Sequence, residues 1–101
     1  MHVITPARLQ KFWEEHPNAE NSLQLWNQRT AKAKWQNFNE LRQLFPSADQ
    51  VENFTVFNIS GNNYRLITLV DYKYQKVFIR NILTHAEYDK EDWKNDSWYT
   101  N

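Results

Sequence analysis

Pro46 divides this chain into two textures, and that division limits its possible folds more than any other feature. Before it, apolar residues recur every three or four positions, the spacing of one helix face. After it, they alternate in short runs separated by polar turns, the spacing of strands with one face inward.

The helical half reads as three pieces. Thr5 and Pro6 suit an N-cap and a first helical position, and Leu9, Phe12 and Trp13 follow on one face. His16-Pro17 ends that piece, because a residue before proline avoids the helical region. Asn18 is placed to cap a second helix over about 19–34, with Leu23, Trp26, Thr30 and Ala33 inward. Asn37 and Glu40 have capping-box spacing for a short third helix, which Pro46 stops. Beyond Pro46, strands are predicted over 54–59, 63–70 and 76–83, with Gly61 supplying the first turn. Alternation puts Phe78, Arg80 and Ile82 on one face of the last strand, and Val77, Ile79 and Leu83 on the other. Asn53-Phe54-Thr55 is a candidate for part of a further strand.

The expected fold is therefore α+β, with N-terminal helices packed on an antiparallel sheet of three to four strands. A chain of 101 residues suits a single domain over 1–101: helices about 5–45, sheet about 53–83, and a short helical turn and tail over 84–101. Thr84-x-x-Glu87 would cap that turn and hold His85 and Tyr88 on one side of it. The chain's five Trp, six Phe and five Tyr must fill much of the core, leaving some for a partner surface.

Composition removes several chemistries. Without cysteine there is no disulfide, thiol nucleophile or thiolate metal site. The three histidines are far apart in sequence, and Gly61 is the only glycine, so neither a spaced metal cluster nor a phosphate-cradling glycine loop is present in the pattern. No metal or other cofactor is expected. No apolar run nears the roughly 20 residues of a membrane helix, and the expected location is the cytoplasm, away from membranes. Formal net charge is zero but uneven: residues 62–85 carry +3 and residues 86–101 carry −3.

That basic block holds the candidate site. Arg65 and Arg80 lie on neighbouring predicted strands, and His85 and Tyr88 come just after the second. Guanidiniums clamp phosphates bidentately, while imidazole and phenol move protons, so the set suits a phosphodiester. Each residue also has a plainer reading. Arg65 can snorkel over the sheet, His85 can be a surface or cap group, and Tyr88 can be packing. Arg80, flanked by Phe78 and Ile82, makes the stronger case of the two arginines, since a charge among apolar neighbours needs an anion. Two nearby guanidiniums would favour the phenolate of Tyr88, whose free pKa is about 10. Asn58, Asn62 and Asn63 read as turn and cap groups rather than catalysts. Lys73 and Lys76 suit hairpin solubility, and with Asn62 they are candidate RNA contacts.

Taken together, Val56-Phe57-Asn58-Ile59-x-Gly61-Asn62-x-Tyr64-Arg65-Leu66, then Phe78-Ile79-Arg80, then Thr84-His85-x-Glu87-Tyr88-Asp89 resemble the HigB toxin family. These belong to the RelE-like toxins of bacterial toxin–antitoxin pairs. The resemblance also takes in the MHVIT start and Leu41-x-x-Leu44-Phe45-Pro46-Ser47. It implies a small α/β fold and an mRNA interferase, several of which cut mRNA on the ribosome. It also implies a HigA antitoxin, a helix-turn-helix protein that represses the shared operon, and no DNA binding by this chain alone. By motif, Arg65 and Arg80 correspond to phosphate contacts, and His85 and Tyr88 to proton-transfer groups. The implied reaction needs no metal: the RNA 2′-OH attacks the adjacent phosphate, leaving a 2′,3′-cyclic phosphate and a 5′-OH. This chain departs from the family in being neutral where RelE-like toxins tend to be basic. The antitoxin is expected on residues 1–35, through Trp13 and Trp26, leaving the arginine face at least partly open.

Overall fold

The computed structural model describes residues 1–100. Its helices are α1 (Ala7–Glu15), α2 (Glu20–Lys32), α3 (Phe38–Leu44) and α4 (His85–Asp89). Its strands are β1 (His2–Ile4), β2 (Asp49–Val51), β3 (Phe54–Ile59), β4 (Tyr64–Asp71) and β5 (Lys76–Thr84). They form one sheet in the order β1-β5-β4-β3-β2.

The three long strands fall where alternation places them, but the sheet is larger than expected. The five strands include β1, which runs parallel to β5 with Val3 opposite Val77, so the sheet is mixed rather than wholly antiparallel. Neither β1 nor β2 was legible, because three residues are too few for a period and both borrow their order from a longer neighbour.

Helix boundaries follow local chemistry with two shifts. Asn37 caps α3 through its side chain, accepting from Glu40 N–H at 2.9 Å. The Glu40 carboxylate returns to Gln36 N–H rather than to Asn37, one residue short of a reciprocal box. Pro6, rather than Thr5, takes the N-cap position of α1. Asn18 does not cap α2: a 3-10 turn over Pro17–Ala19 intervenes and Ala19 stands at the cap. Around Thr84 the capping box is complete, with Glu87 N–H donating to its hydroxyl at 3.2 Å and Thr84 N–H to the Glu87 carboxylate at 2.9 Å.

Both faces of the sheet are covered. On one, Leu9, Leu23, Trp26 and Leu41 from the helices meet Phe57, Ile59, Leu66, Val77 and Ile79. On the other, Phe54, Val56 and Ile67 are covered by the C-terminal segment through Trp93, Tyr88 and Tyr99. Trp26 is 2% exposed and packs edge-on against Phe57, so it is a core residue and is withdrawn as a partner contact. Trp13 is half-buried against the same core.

A bulge corrects the predicted faces of β5. Ile67 pairs with Asn81 and Thr68 with Ile79, so Arg80 is the extra residue. One extra residue reverses every later side chain. Ile82 therefore joins the helix-side core with Val77 and Ile79, whereas Leu83 goes to the tail side. Leu66, fully buried on the central strand β4, tests how far the helix-side core carries stability. Leu66→Ala should cost about 3 kcal/mol, read as a lower denaturant midpoint with unchanged slope.

Candidate functional site

Arg65 is the centre of the site. Its backbone is fixed by pairing with Asn58 on β3 and Leu83 on β5, and the residue is only 9% exposed, with its side chain on the tail face. The guanidinium donates to the carbonyls of Asn62 and Tyr64 at 3.1 and 3.2 Å, to the Asn62 side-chain oxygen at 3.2 Å, and to His85 Nδ1 at 3.3 Å. All four acceptors are neutral in this arrangement. A charge this deeply buried, satisfied only by neutral groups, keeps an unbalanced attraction for an anion.

His85 starts α4, directly after β5. Accepting from Arg65 at Nδ1 leaves the ring proton on Nε2, which faces Asp89 Oδ2 at 3.2 Å. The ring is thus oriented from both nitrogens. Tyr88, three residues on, lies beneath the same guanidinium, with Arg65 Cζ 5.5 Å from its ring centroid. Burial first, and then the Asp49 carboxylate, push its phenol above the usual value, while Arg65 and Lys94 pull the other way. The expectation that guanidiniums would favour the phenolate is thus corrected: burial outweighs Arg65, and the group is a protonated phenol at neutral pH.

Arg65 and Tyr88 open onto a cleft of about 430 Å³, lined also by Arg42, Ser47, Asp49 and Asn58 among others, and His85 reaches it through its contact with Arg65. Arg42 and Asp49 were not singled out from the sequence. They arrive from α3 and β2, and no local pattern links them to Arg65. Asn58 was read as a turn group, but it sits in β3 opposite Arg65 and shares its face.

Arg80 is placed differently. Alternation from Phe78, the partner of Leu69, puts it on the Arg65 face, but three residues along β5 from Leu83, the partner of Arg65; that is about 10 Å of strand. Its Nε and Nη2 donate to both Asp96 oxygens at 2.8 and 2.7 Å. Trp98 stacks on it with Cζ 3.7 Å from the ring centroid. Arg65, His85 and Tyr88 are therefore brought together, whereas Arg80 is satisfied by the tail's own carboxylate. Asn62 accepts from the Arg65 guanidinium through its backbone and side-chain oxygens but does not itself line the cleft. Lys73 and Lys76 are exposed around the β4–β5 turn, at the opposite end of β4 from Arg65. Among the described residues no group of three His, Cys, Asp or Glu is arranged to hold a metal ion, and no helix is long and apolar enough to cross a membrane.

The profile of the HigB toxins, the RelE-like toxic component of a toxin–antitoxin system, matches residues 19–91. This chain belongs to that family. It is 34% identical over 92 residues to the mRNA interferase toxin HigB of Escherichia coli K12, covering 88% of each chain. It shows the same identity to the mRNA interferase HigB of Shigella flexneri, and 28% over 93 residues to that of Escherichia coli O6:H1. The family match includes Arg65, Arg80, His85 and Tyr88, and ends before Trp93 and Asp96.

The Arg80–Asp96 pair gives a pH signature. Hydrogen bonds from Arg80 hold the Asp96 carboxyl below its ordinary 3.8. A carboxyl with a lower pKa in the folded state adds stability above its unfolded value and loses it as pH falls through the folded one. Asp96→Asn should therefore cost about 1–3 kcal/mol at pH 7. The gap from the parent should close as the pH drops below about 4, followed by thermal or urea unfolding.

Proposed function

We propose that this chain is an endoribonuclease that cleaves mRNA, on the translating ribosome, by metal-independent attack of a 2′-OH on the adjacent phosphate. The observation that carries this reading is Arg65, a buried guanidinium that pairs with no carboxylate among the described residues, set at a cleft with Tyr88 and in hydrogen-bond contact with His85. The activity of the relatives, mRNA interferase, supports it.

In this mechanism the scissile phosphate takes the Arg65 donor now given to His85. That frees the Nδ1 lone pair of His85 to accept the 2′-OH proton, while Asp89 steadies the cation that forms. The 2′-oxygen bonds to phosphorus, charge builds on the non-bridging oxygens beside Arg65, and the bond to the 5′-oxygen breaks. Tyr88, protonated at neutral pH, gives its proton to that oxygen. A raised phenol pKa suits an acid rather than a base, so the order His85 as base and Tyr88 as acid follows. Asn62 acts by holding Arg65 and facing the RNA backbone. Lys73 and Lys76, at the far end of β4, contact a more distant stretch of RNA in this reading. Arg80 serves mainly to hold the tail.

A second reading, a non-catalytic RNA or protein binder of the same fold, draws on the neutralised Arg80 and zero net charge. Cleavage of defined mRNA by EDTA-treated protein added to translating ribosomes separates the two. Tyr88→Phe should slow cleavage about 100-fold or more, and His85→Ala similarly, with folding kept. Arg65→Lys should also fall steeply, because an ammonium lacks the planar fork. Products should end in 2′,3′-cyclic phosphate. Intact mRNA with and without ribosomes, or full cellular toxicity of the double His85 and Tyr88 variant, would favour the binder.

The partner proposed is a HigA-like helix-turn-helix antitoxin bound over α1 and α2. The half-buried Trp13 and the exposed Leu25, 47% accessible, offer it apolar area. Hydrogen exchange with the cognate antitoxin should show protection across residues 1–35. Protection confined to Arg80–Tyr88 would instead mean direct occlusion of the cleft.

A further inference from the structure

The family profile stops at residue 91, yet the side chain in closest register with Tyr88 comes after it. Glu91 adopts a left-handed conformation, φ 64°, and turns the chain back beneath α4. Trp93 then stacks on the Tyr88 ring with centroids 5.0 Å apart and planes 9° from parallel. Its indole N–H donates to the backbone carbonyl of the same tyrosine at 3.0 Å. Tyr88 is thus gripped at ring and backbone by one side chain, with Arg65 on the ring as well.

The grip is itself anchored. Trp93 is buried against Phe54 and Tyr99. The segment beyond it is tied down by Asp96 to Arg80, by Trp98 packed edge-on against Phe78, and by Asn53 N–H to the Tyr99 carbonyl at 3.1 Å. α4 has five residues and too few internal bonds to fix a side chain unaided. A phenol that must protonate a leaving oxygen needs such fixing, because an error near 1 Å can cost about 100-fold in rate.

We propose that Trp93 is a positioning residue for Tyr88, and that the tail held by Arg80 and Asp96 is a working part of the active site. The proposal rests on the ribonuclease reading above, with Tyr88 as the acid. It differs from a purely structural role for Trp93 in one measurable respect. In RNA whose scissile 5′-oxygen is replaced by sulfur, the P–S bond breaks and the thiolate leaves without a proton. A defect in proton donation then disappears, whereas a defect in folding or RNA binding persists.

The experiment compares Trp93→Leu, Trp93→Phe and Tyr88→Phe on matched oxygen and 5′-thio mRNAs presented on ribosomes, with unfolding followed in parallel. Trp93→Phe keeps an aromatic ring to stack while losing the N–H and part of the ring area, a milder change that protects the test should Trp93→Leu not fold. On the oxygen substrate the single-turnover rate should fall about tenfold or more for Trp93→Leu and about threefold for Trp93→Phe, with the half-saturating concentration unchanged. On the thio substrate both should return to within about twofold of the parent. Equal losses on the two substrates overturn the proposal, as do parental rates on oxygen for every folded Trp93 variant. Failure of the underlying reading is separately visible: Tyr88→Phe would then show no rescue by sulfur, or no loss on oxygen.

Discussion

The buried guanidinium of Arg65 is the constraint around which this end of the molecule is organised. Taking a charge from water costs several kcal/mol, so it must be met by hydrogen bonds. Here they come from the β3–β4 turn at Asn62, from the strand at Tyr64 and from the imidazole of His85. Each of those acceptors is neutral, which stabilises the folded chain without cancelling the charge.

Arg80 shows the opposite solution on the same sheet face. Its bidentate pairing with Asp96 and its stacking on Trp98 neutralise it within the chain. The two arginines therefore differ in their partners despite similar sequence surroundings: one is held by backbone and amide oxygens and an imidazole, and the other fastens the C-terminal segment. That segment closes the second core, since a sheet with apolar residues on both faces needs cover on both. Site and stability are coupled here, because Trp93 completes the core and rests on Tyr88 at once.

Much of the architecture was legible from local rules. Periodicity located β3, β4 and β5, and capping chemistry located the starts of α3 and of α4 at Asn37 and Thr84. The misses have physical causes. β1 and β2 have too few residues to carry a period, and Asn18 lost its cap when Pro17 began a 3-10 turn. The faces of β5 were misassigned beyond Arg80 because a bulge is set by how two strands meet, not by either strand's composition. Trp26 was read both as an inward helix residue and as a partner contact, because aromatic residues serve cores and interfaces alike, and only packing decides between them.

For the site, the amino-acid sequence by itself determined the cast: Arg65 on a strand, His85 and Tyr88 one helical turn apart behind a Thr84 cap, and no cysteine to offer another chemistry. It also carried the family, because those motifs are spelled in contiguous residues. Which arginine stays open was decided only in three dimensions. The carboxylate that neutralises Arg80 lies sixteen residues away, and the groups that complete the Arg65 cleft come from α3 and β2. Burial likewise set Tyr88 as a protonated phenol against the pull of Arg65. Charge pairing and desolvation depend on distances between elements remote in the chain, and no local pattern encodes those distances.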